Sequence, residues 1–299
     1  MTDELPETVR PFDEPRSVGE PRLDGVARLI AVVDRLRAPE GGCPWDLEQD
    51  ATTLTASLVE EAFEAVEAID ERAELDPADA DAQAKADAEL RGELGDVLMN
   101  IVLIARCEQD ATRFDLGDVA NDVADKLIRR HPHVFGGVRV AGTDEVLTNW
   151  EAIKAWERRD KQVDASALAG VPKVLPALQR AQRLSNKAVS AGFRWGDTRG
   201  ALAKVREELE ELEAAFGDGV EPDDARRAEL EAELGDLLMA TAIFGTYAGL
   251  DAEQALRTSL RRFEARYRHM EAALGGSVTG HDLDAMMRAW GAAKRALAD

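Results

Sequence analysis

Residues 88–105 read AELRGELGDVLMNIVLIA, and residues 228–245 read AELEAELGDLLMATAIFG. Each stretch is an apolar run long enough for a buried helix, opened by two carboxylates three residues apart, Glu93 with Asp96 and Glu233 with Asp236. The two stretches stand 140 residues apart, which makes the chain a tandem duplication. On the N-terminal side, Glu60-Glu61-x-x-Glu64 in VEEAFEAVEAI precedes the first run, and Glu207-Glu208-x-x-Glu211 in REELEELEAAF precedes the second. Further out lie GGCPWD at 41–46 against GFRWGD at 192–197, Lys126/Arg130 against Arg262/Arg266, and Trp150/Lys154 against Trp290/Lys294. The order is the same in both halves. A repeat of this length is far longer than a solenoid unit, so it denotes a duplicated domain.

The periodicity is helical throughout. Apolar residues recur at three and four over 23–38, 54–69, 90–105 and 116–130, and a further helix is expected over Trp150–Arg159. Pro39-Glu40-Gly41-Gly42 punctuates the first helix, with Asp46 or Asp50 as caps for the next one, and His131-Pro132-His133 ends the fourth. Residues 73–88 read as a polar loop with a weakly helical end. The expected organisation is an N-terminal arm at 1–20, a first domain at 21–160, a linker at 161–176 and a second domain at 177–299.

Composition agrees. Ala, Leu, Glu, Arg and Asp dominate the 299 residues and aromatics are only 5%, which favours helix. A net charge of −22 argues against a polynucleotide partner, because phosphate backbones are held by cationic surface. Two cysteines, Cys43 and Cys107, build neither a disulfide framework nor a zinc site. The acidic N-terminus has no signal-peptide pattern and no stretch is apolar enough to span a membrane, so a cytoplasmic, soluble, all-α protein is expected.

The acidic pairs have a chemical reading. On one helix Glu61 and Glu64 share a face, as do Glu93 and Asp96 on the next. If the two helices pack antiparallel, four carboxylates converge, repelling one another unless a cation joins them. Oxygen ligands without His or Cys suit Mg²⁺, with Mn²⁺ as the alternative. Isolated, such a motif is a solvated helix face. Set in an apolar run and present twice, it is better read as a pinned site. Lys126/Arg130 and Arg262/Arg266 fit either a helix C-terminal dipole or a phosphate clamp. Trp150 and Trp290 fit either a packing anchor or a base platform.

Together, GGCPWDLEQ, EEAFE, ELGDVL, KLIRRHPHVF and WEAIKAWER resemble the MazG family of nucleoside triphosphate pyrophosphohydrolases. VPKVLPALQRAQRLSNKAVSAGFRW, EELEE, ELGDLLMA and RRFEARYRHM resemble the C-terminal domain of its two-domain members. The resemblance implies tandem all-α domains whose four-helix-bundle sites are completed in a homodimer. It implies Mg²⁺-dependent hydrolysis of canonical or aberrant nucleoside triphosphates to monophosphate and pyrophosphate, a housecleaning of the nucleotide pool. Its metal ligands would be Glu61, Glu64, Glu93 and Asp96 in the first half and Glu208, Glu211, Glu233 and Asp236 in the second. Lys204, Arg262, Arg266 and Lys294 would hold the phosphates and Trp290 the base or ribose, with Lys126, Arg130, Trp150 and Lys154 at the matching positions of the first half. Glu60 or Glu207 would orient or deprotonate the attacking water. Ser57 stands where the second half has Lys204. Glu229 and Ala232 occupy positions where some members carry lysine and glutamate. The loop between the acidic motifs is 28 residues in the first half and 21 in the second. A di-iron bundle would need Glu-x-x-His near ELGD, which is lacking. The competing reading is a non-catalytic helical interaction or regulatory protein that keeps this scaffold.

Overall fold

The computed structural model describes residues 21–143, 145, 146, 149, 150, 153, 157, 164, 166–217 and 223–297. The N-terminal arm, Lys154 and part of the linker lie outside the described residues. Among those described, every regular element is an α-helix. The chain divides between Glu157 and Arg158 into two compact units.

In the first unit, helices α1 (Pro21–Leu36), α2 (Pro44–Glu48), α3 (Thr55–Glu74), α4 (Ala80–Asp110), α5 (Leu116–Arg130) and α6 (Pro132–Phe135) follow in order. Helices α3 and α4 form the central hairpin, with α1 and α5 on α4. Val33, Leu54, Val102, Leu103 and Cys107 make the core, with Leu29, Ile30, Met99, Ile104 and Leu116 against it. Burying each large aliphatic side chain contributes about 1.5–3 kcal/mol.

The turn into α2 is fixed by Arg37, which is only 7% exposed. Its Nε donates to Asp110 Oδ2 at 2.9 Å and its Nη1 to the carbonyls of Asp46 and Gln49. One guanidinium thus ties α1, α2 and the end of α4 together. Gly42 is required here, because a Cβ would meet the Ala38 carbonyl oxygen at 2.3 Å.

Two expectations are corrected. Residues 73–88 are not a loop: α3 runs to Glu74 and α4 starts at Ala80, so only 75–79 connect them. The Asp79 side chain accepts from the Ala82 amide and caps a run of alanine-rich helix formers. Asp46 is not a cap either, since it lies within α2. Asp50 instead holds the turn before α3, accepting from the Thr52 and Thr53 amides. Of the helix expected over Trp150–Arg159, only Trp150, Ile153 and Glu157 are described.

The second unit contains α7 (Ala177–Ser190), α8 (Thr198–Phe216), α9 (Asp224–Ala248), α10 (Ala252–Ala273) and α11 (Leu283–Ala296). The α8–α9 hairpin is its most extensive contact. Helix α7 packs on α9, α10 on α9 and α7, and α11 on α10. Aspartates 197, 223, 251 and 282 cap α8, α9, α10 and α11, each accepting from an amide three residues on. Part of the acid excess therefore serves helix starts. Gln182, buried on α7, donates to the Leu250 carbonyl and accepts from the Ala252 amide, both at 2.8 Å, pinning the α9–α10 turn. The described linker residues, Asp164 and Ser166–Pro176, form turns and no helix.

Candidate metal centre

Each hairpin gathers the acidic motifs. Helix α3 carries Glu60, Glu61 and Glu64, and the short connection returns α4 antiparallel beside it with Glu93 and Asp96. Carboxylate oxygens of Glu61, Glu64 and Glu93 lie within 4.8 Å of one another. In the second unit, α8 and α9 bring Glu208, Glu233 and Asp236 equally close. Three of the four expected ligands therefore cluster in each unit, and the fourth differs: Asp96 in the first, Glu211 in the second. Both remain electrostatic neighbours of their cluster.

The electrostatics differ between copies. Glu61 is held above the usual carboxylate range by partial withdrawal from water, then by the charges of Asp96, Glu64, Glu93 and Glu60. Glu93 is raised by the same withdrawal and by Glu64 and Asp96. In the second unit Lys204 sits on the cluster. Its Nζ lies 2.7 Å from Glu207 Oε1 and 2.8 Å from Glu208 Oε1. These bonds, to Glu207 first and Glu208 second, raise the lysine above its ordinary value. Glu208 is 6% exposed, a buried carboxylate that needs a partner. Glu211 is raised by its hydrogen bond to Glu208, then by desolvation.

All donors are carboxylate oxygens, and repulsion among them stands partly uncompensated. That is the donor chemistry of a hard divalent cation, so both clusters could hold a metal ion. Of the two expected base residues, Glu60 is exposed and Glu207 is engaged by Lys204.

The expected phosphate clamps diverge more. Arg130, half-buried at the end of α5, is committed to Glu157, with Nη2 at 2.6 Å from Oε2. Arg129 Nε meets the same carboxylate at 2.8 Å. Those bonds, Arg130's first, hold Glu157 below the usual carboxylate range. Sequence reasoning missed Glu157, because it lies 27 residues beyond Arg130 and no periodicity links them. Lys126 and Trp150 are half-buried. In the second unit, Arg262 and Arg266 lie on α10, and buried Nε of Arg266 has no hydrogen-bond partner among the described residues. Helix α11 adds Trp290, 5.5 Å from the Phe263 ring, with Lys294 Nζ 5.9 Å from the Trp290 centroid. These four residues therefore share one helix pair, a different pair from that of the carboxylates.

The apolar flank of ELGD is less buried than the sequence suggested. Asp96 and Asp236 are exposed, as are Leu94, Leu98 and Ile101 on α4 and Leu234, Leu238 and Met239 on α9, with Leu94 at 51% and Leu238 at 50%. The run is split between an inner face, with Val102, Leu103 and Cys107 in the first unit, and an outer one.

Comparison with known proteins gives the same direction. Residues 49–135 match the family model of the MazG nucleotide pyrophosphohydrolase domain. The chain is 39% identical over 276 residues to a nucleoside triphosphate pyrophosphohydrolase of Escherichia coli (strain K12), covering 91% of this chain and 98% of that protein. It is 37% identical over 243 residues to the nucleoside triphosphate pyrophosphohydrolase/pyrophosphatase MazG of Thermotoga maritima, covering 81% and 84%. With a nucleoside triphosphate pyrophosphohydrolase of Mycolicibacterium smegmatis it shares 30% identity over 256 residues, covering 85% and 61%.

Proposed function

The chain belongs to the MazG family of nucleotide pyrophosphohydrolases, and on that basis we propose where and how it hydrolyses nucleoside triphosphates to nucleoside monophosphate and pyrophosphate. The reading places the hydrolytic site on the α8–α9 hairpin, with Glu208, Glu211, Glu233 and Asp236 holding Mg²⁺, or Mn²⁺ in its place. One observation carries it: among the described residues, only there does a lysine stand against a buried carboxylate of the cluster. The first cluster, Glu61, Glu64, Glu93 and Asp96, is a second metal site without that cation.

A bound Mg²⁺ supplies positive charge to the triphosphate chain, which this acidic protein otherwise lacks. The chain's own residues do the remainder. Lys204 reaches the phosphate oxygens as a mobile point charge. Glu207, beside the ligands and exposed, orients the water that attacks the α-phosphorus, and Glu60 holds the matching place in the first unit. Arg262, Arg266 and Lys294 stabilise the departing pyrophosphate, and Trp290 offers its face to the base or ribose. Lys126, Arg130, Trp150 and Lys154 hold the matching places in the first unit, with Arg130 already committed to Glu157.

The carboxylates and the α10–α11 cations come together when a second copy packs on the exposed apolar flanks of the hairpins, giving a homodimer. The chain works as two copies of one domain, 21–160 and 177–299, joined by 161–176, in the cytoplasm, on free nucleotides rather than polynucleotides. Among the described residues no helix is long and apolar enough to cross a membrane.

The test is a panel of nucleoside triphosphates with Mg²⁺, assayed for pyrophosphate. Glu208→Ala is expected to lose about 10²–10³-fold in turnover, since it removes a ligand of the ion that holds the phosphates. Glu61→Ala is expected to lose less than about threefold, within the range of a remote change. Orthophosphate release without pyrophosphate would contradict the cleavage position.

A further inference from the structure

The two clusters share ligand spacing but not their neutralisation. In the second, the Lys204 ammonium bridges Glu207 and Glu208 at 2.7 and 2.8 Å, one helical turn away along α8. The Glu208 oxygen it takes belongs to the carboxylate group that meets Glu233 and Asp236. In the first cluster the corresponding residue is Ser57, which brings no charge. A divalent ion ligated by Glu208 would lie about 2.0–2.1 Å from its oxygen. An ammonium held on the same carboxylate would then face a doubly charged neighbour at close range, and like charges so near in a partly dry site repel strongly. Lysine has a flexible four-carbon stem and can leave without any movement of the backbone.

We infer that Lys204 is the resident counter-cation of the metal-free second cluster, standing in for the divalent ion and displaced from Glu208 when that ion binds. Metal loading and phosphate capture are thereby coupled in this unit: the ion that takes Glu208 frees the ammonium for the substrate. The first unit, with Ser57, has no such coupling. This rests on the metal-site reading above and adds a competition to it.

The test is calorimetric titration of the full chain with Mn²⁺ alone, without nucleotide, in a Glu61→Gln/Glu93→Gln background that disables the first cluster. Three proteins are compared: Lys204 intact, Lys204→Met, and Arg206→Met, which removes a nearby charge from the same helix. Displacement predicts that Lys204→Met binds Mn²⁺ about tenfold more tightly, while Arg206→Met changes affinity by less than about twofold. It also predicts that Lys204→Met lowers the melting temperature in EDTA and that saturating Mn²⁺ removes the difference. Unchanged or weaker Mn²⁺ binding in Lys204→Met would overturn the inference. Equal gains in both variants would overturn it as well, reducing the lysine to a distant charge. If none of the three proteins binds Mn²⁺, the metal reading of the second cluster fails, and the inference with it.

Discussion

The hairpins α3–α4 and α8–α9 present the same carboxylates at the same spacing, yet their cations have gone to different work. In the first unit the arginines are spent on structure. Arg37 holds Asp110 and two carbonyls, Arg106 pairs with Asp34 and Asp110, and Arg129 and Arg130 share Glu157. In the second, Lys204 stands on the acidic cluster itself, and Arg266 keeps a buried Nε without a hydrogen-bond partner among the described residues. A motif shows where negative charge is placed. Its neighbours decide whether positive charge remains to work beside it.

Three substitutions put that contrast at risk. The largest effect is expected from Arg37→Met. Two carbonyls lose their donor while Asp110 keeps Arg106, which should cost the first unit about 2–5 kcal/mol. Urea unfolding should show an early transition for that unit, with pyrophosphate release unchanged under native conditions. A loss of hydrolysis in the folded variant would mean that the first unit does chemistry after all.

Next is Glu157→Gln, which removes the negative charge shared by Arg129 and Arg130 and one of its two accepting oxygens, and should cost about 1–3 kcal/mol. Because Glu157 is lowered in the fold, its contribution is full above the ordinary glutamate range and disappears as pH falls through the lowered value. The melting-temperature gap between wild type and Glu157→Gln should therefore be widest near neutrality and close in acid. A gap independent of pH would show that the pair acts by packing alone.

The smallest is Glu61→Gln in EDTA. Glu61 is raised, so its ionised form is disfavoured in the fold and the penalty stands above the raised value. The variant should melt about 1–2 °C higher than wild type at neutral pH. The gap should shrink as pH falls towards the ordinary glutamate range, and Mg²⁺ should reverse its sign. A variant that melts lower in EDTA at neutral pH would show that the cluster is not under repulsion.

What the chain disclosed in advance was local. The helical period, the Pro39–Gly42 turn and the acidic spacings all lie within one or two turns, where periodicity fixes which residues share a face, and the duplication shows as those local patterns met twice. Residues 75–79 aside, the expected loop at 73–88 proved helical, because alanine propensity and the Asp79 cap outweighed the polar composition. The rest depends on contacts remote in sequence. Arg37 meets Asp110 73 residues away, Arg130 meets Glu157 27 away, and Trp195, whose amide donates to the Tyr247 hydroxyl, packs 5.8 Å from that ring. No spacing rule could announce that Arg130 is already engaged. Nor could it show that Leu94 and Leu238 face outward, since an apolar residue that awaits a partner has the same period as one in a core.

Whether the second unit hydrolyses the nucleotide is decided by pyrophosphate release from two mirror variants of the full chain at saturating Mg²⁺ and nucleoside triphosphate. Glu61→Ala/Glu93→Ala should release pyrophosphate within about threefold of the wild-type rate, whereas Glu208→Ala/Glu233→Ala should fall by at least about a hundredfold. The reverse order, or equal losses in both, would contradict that assignment.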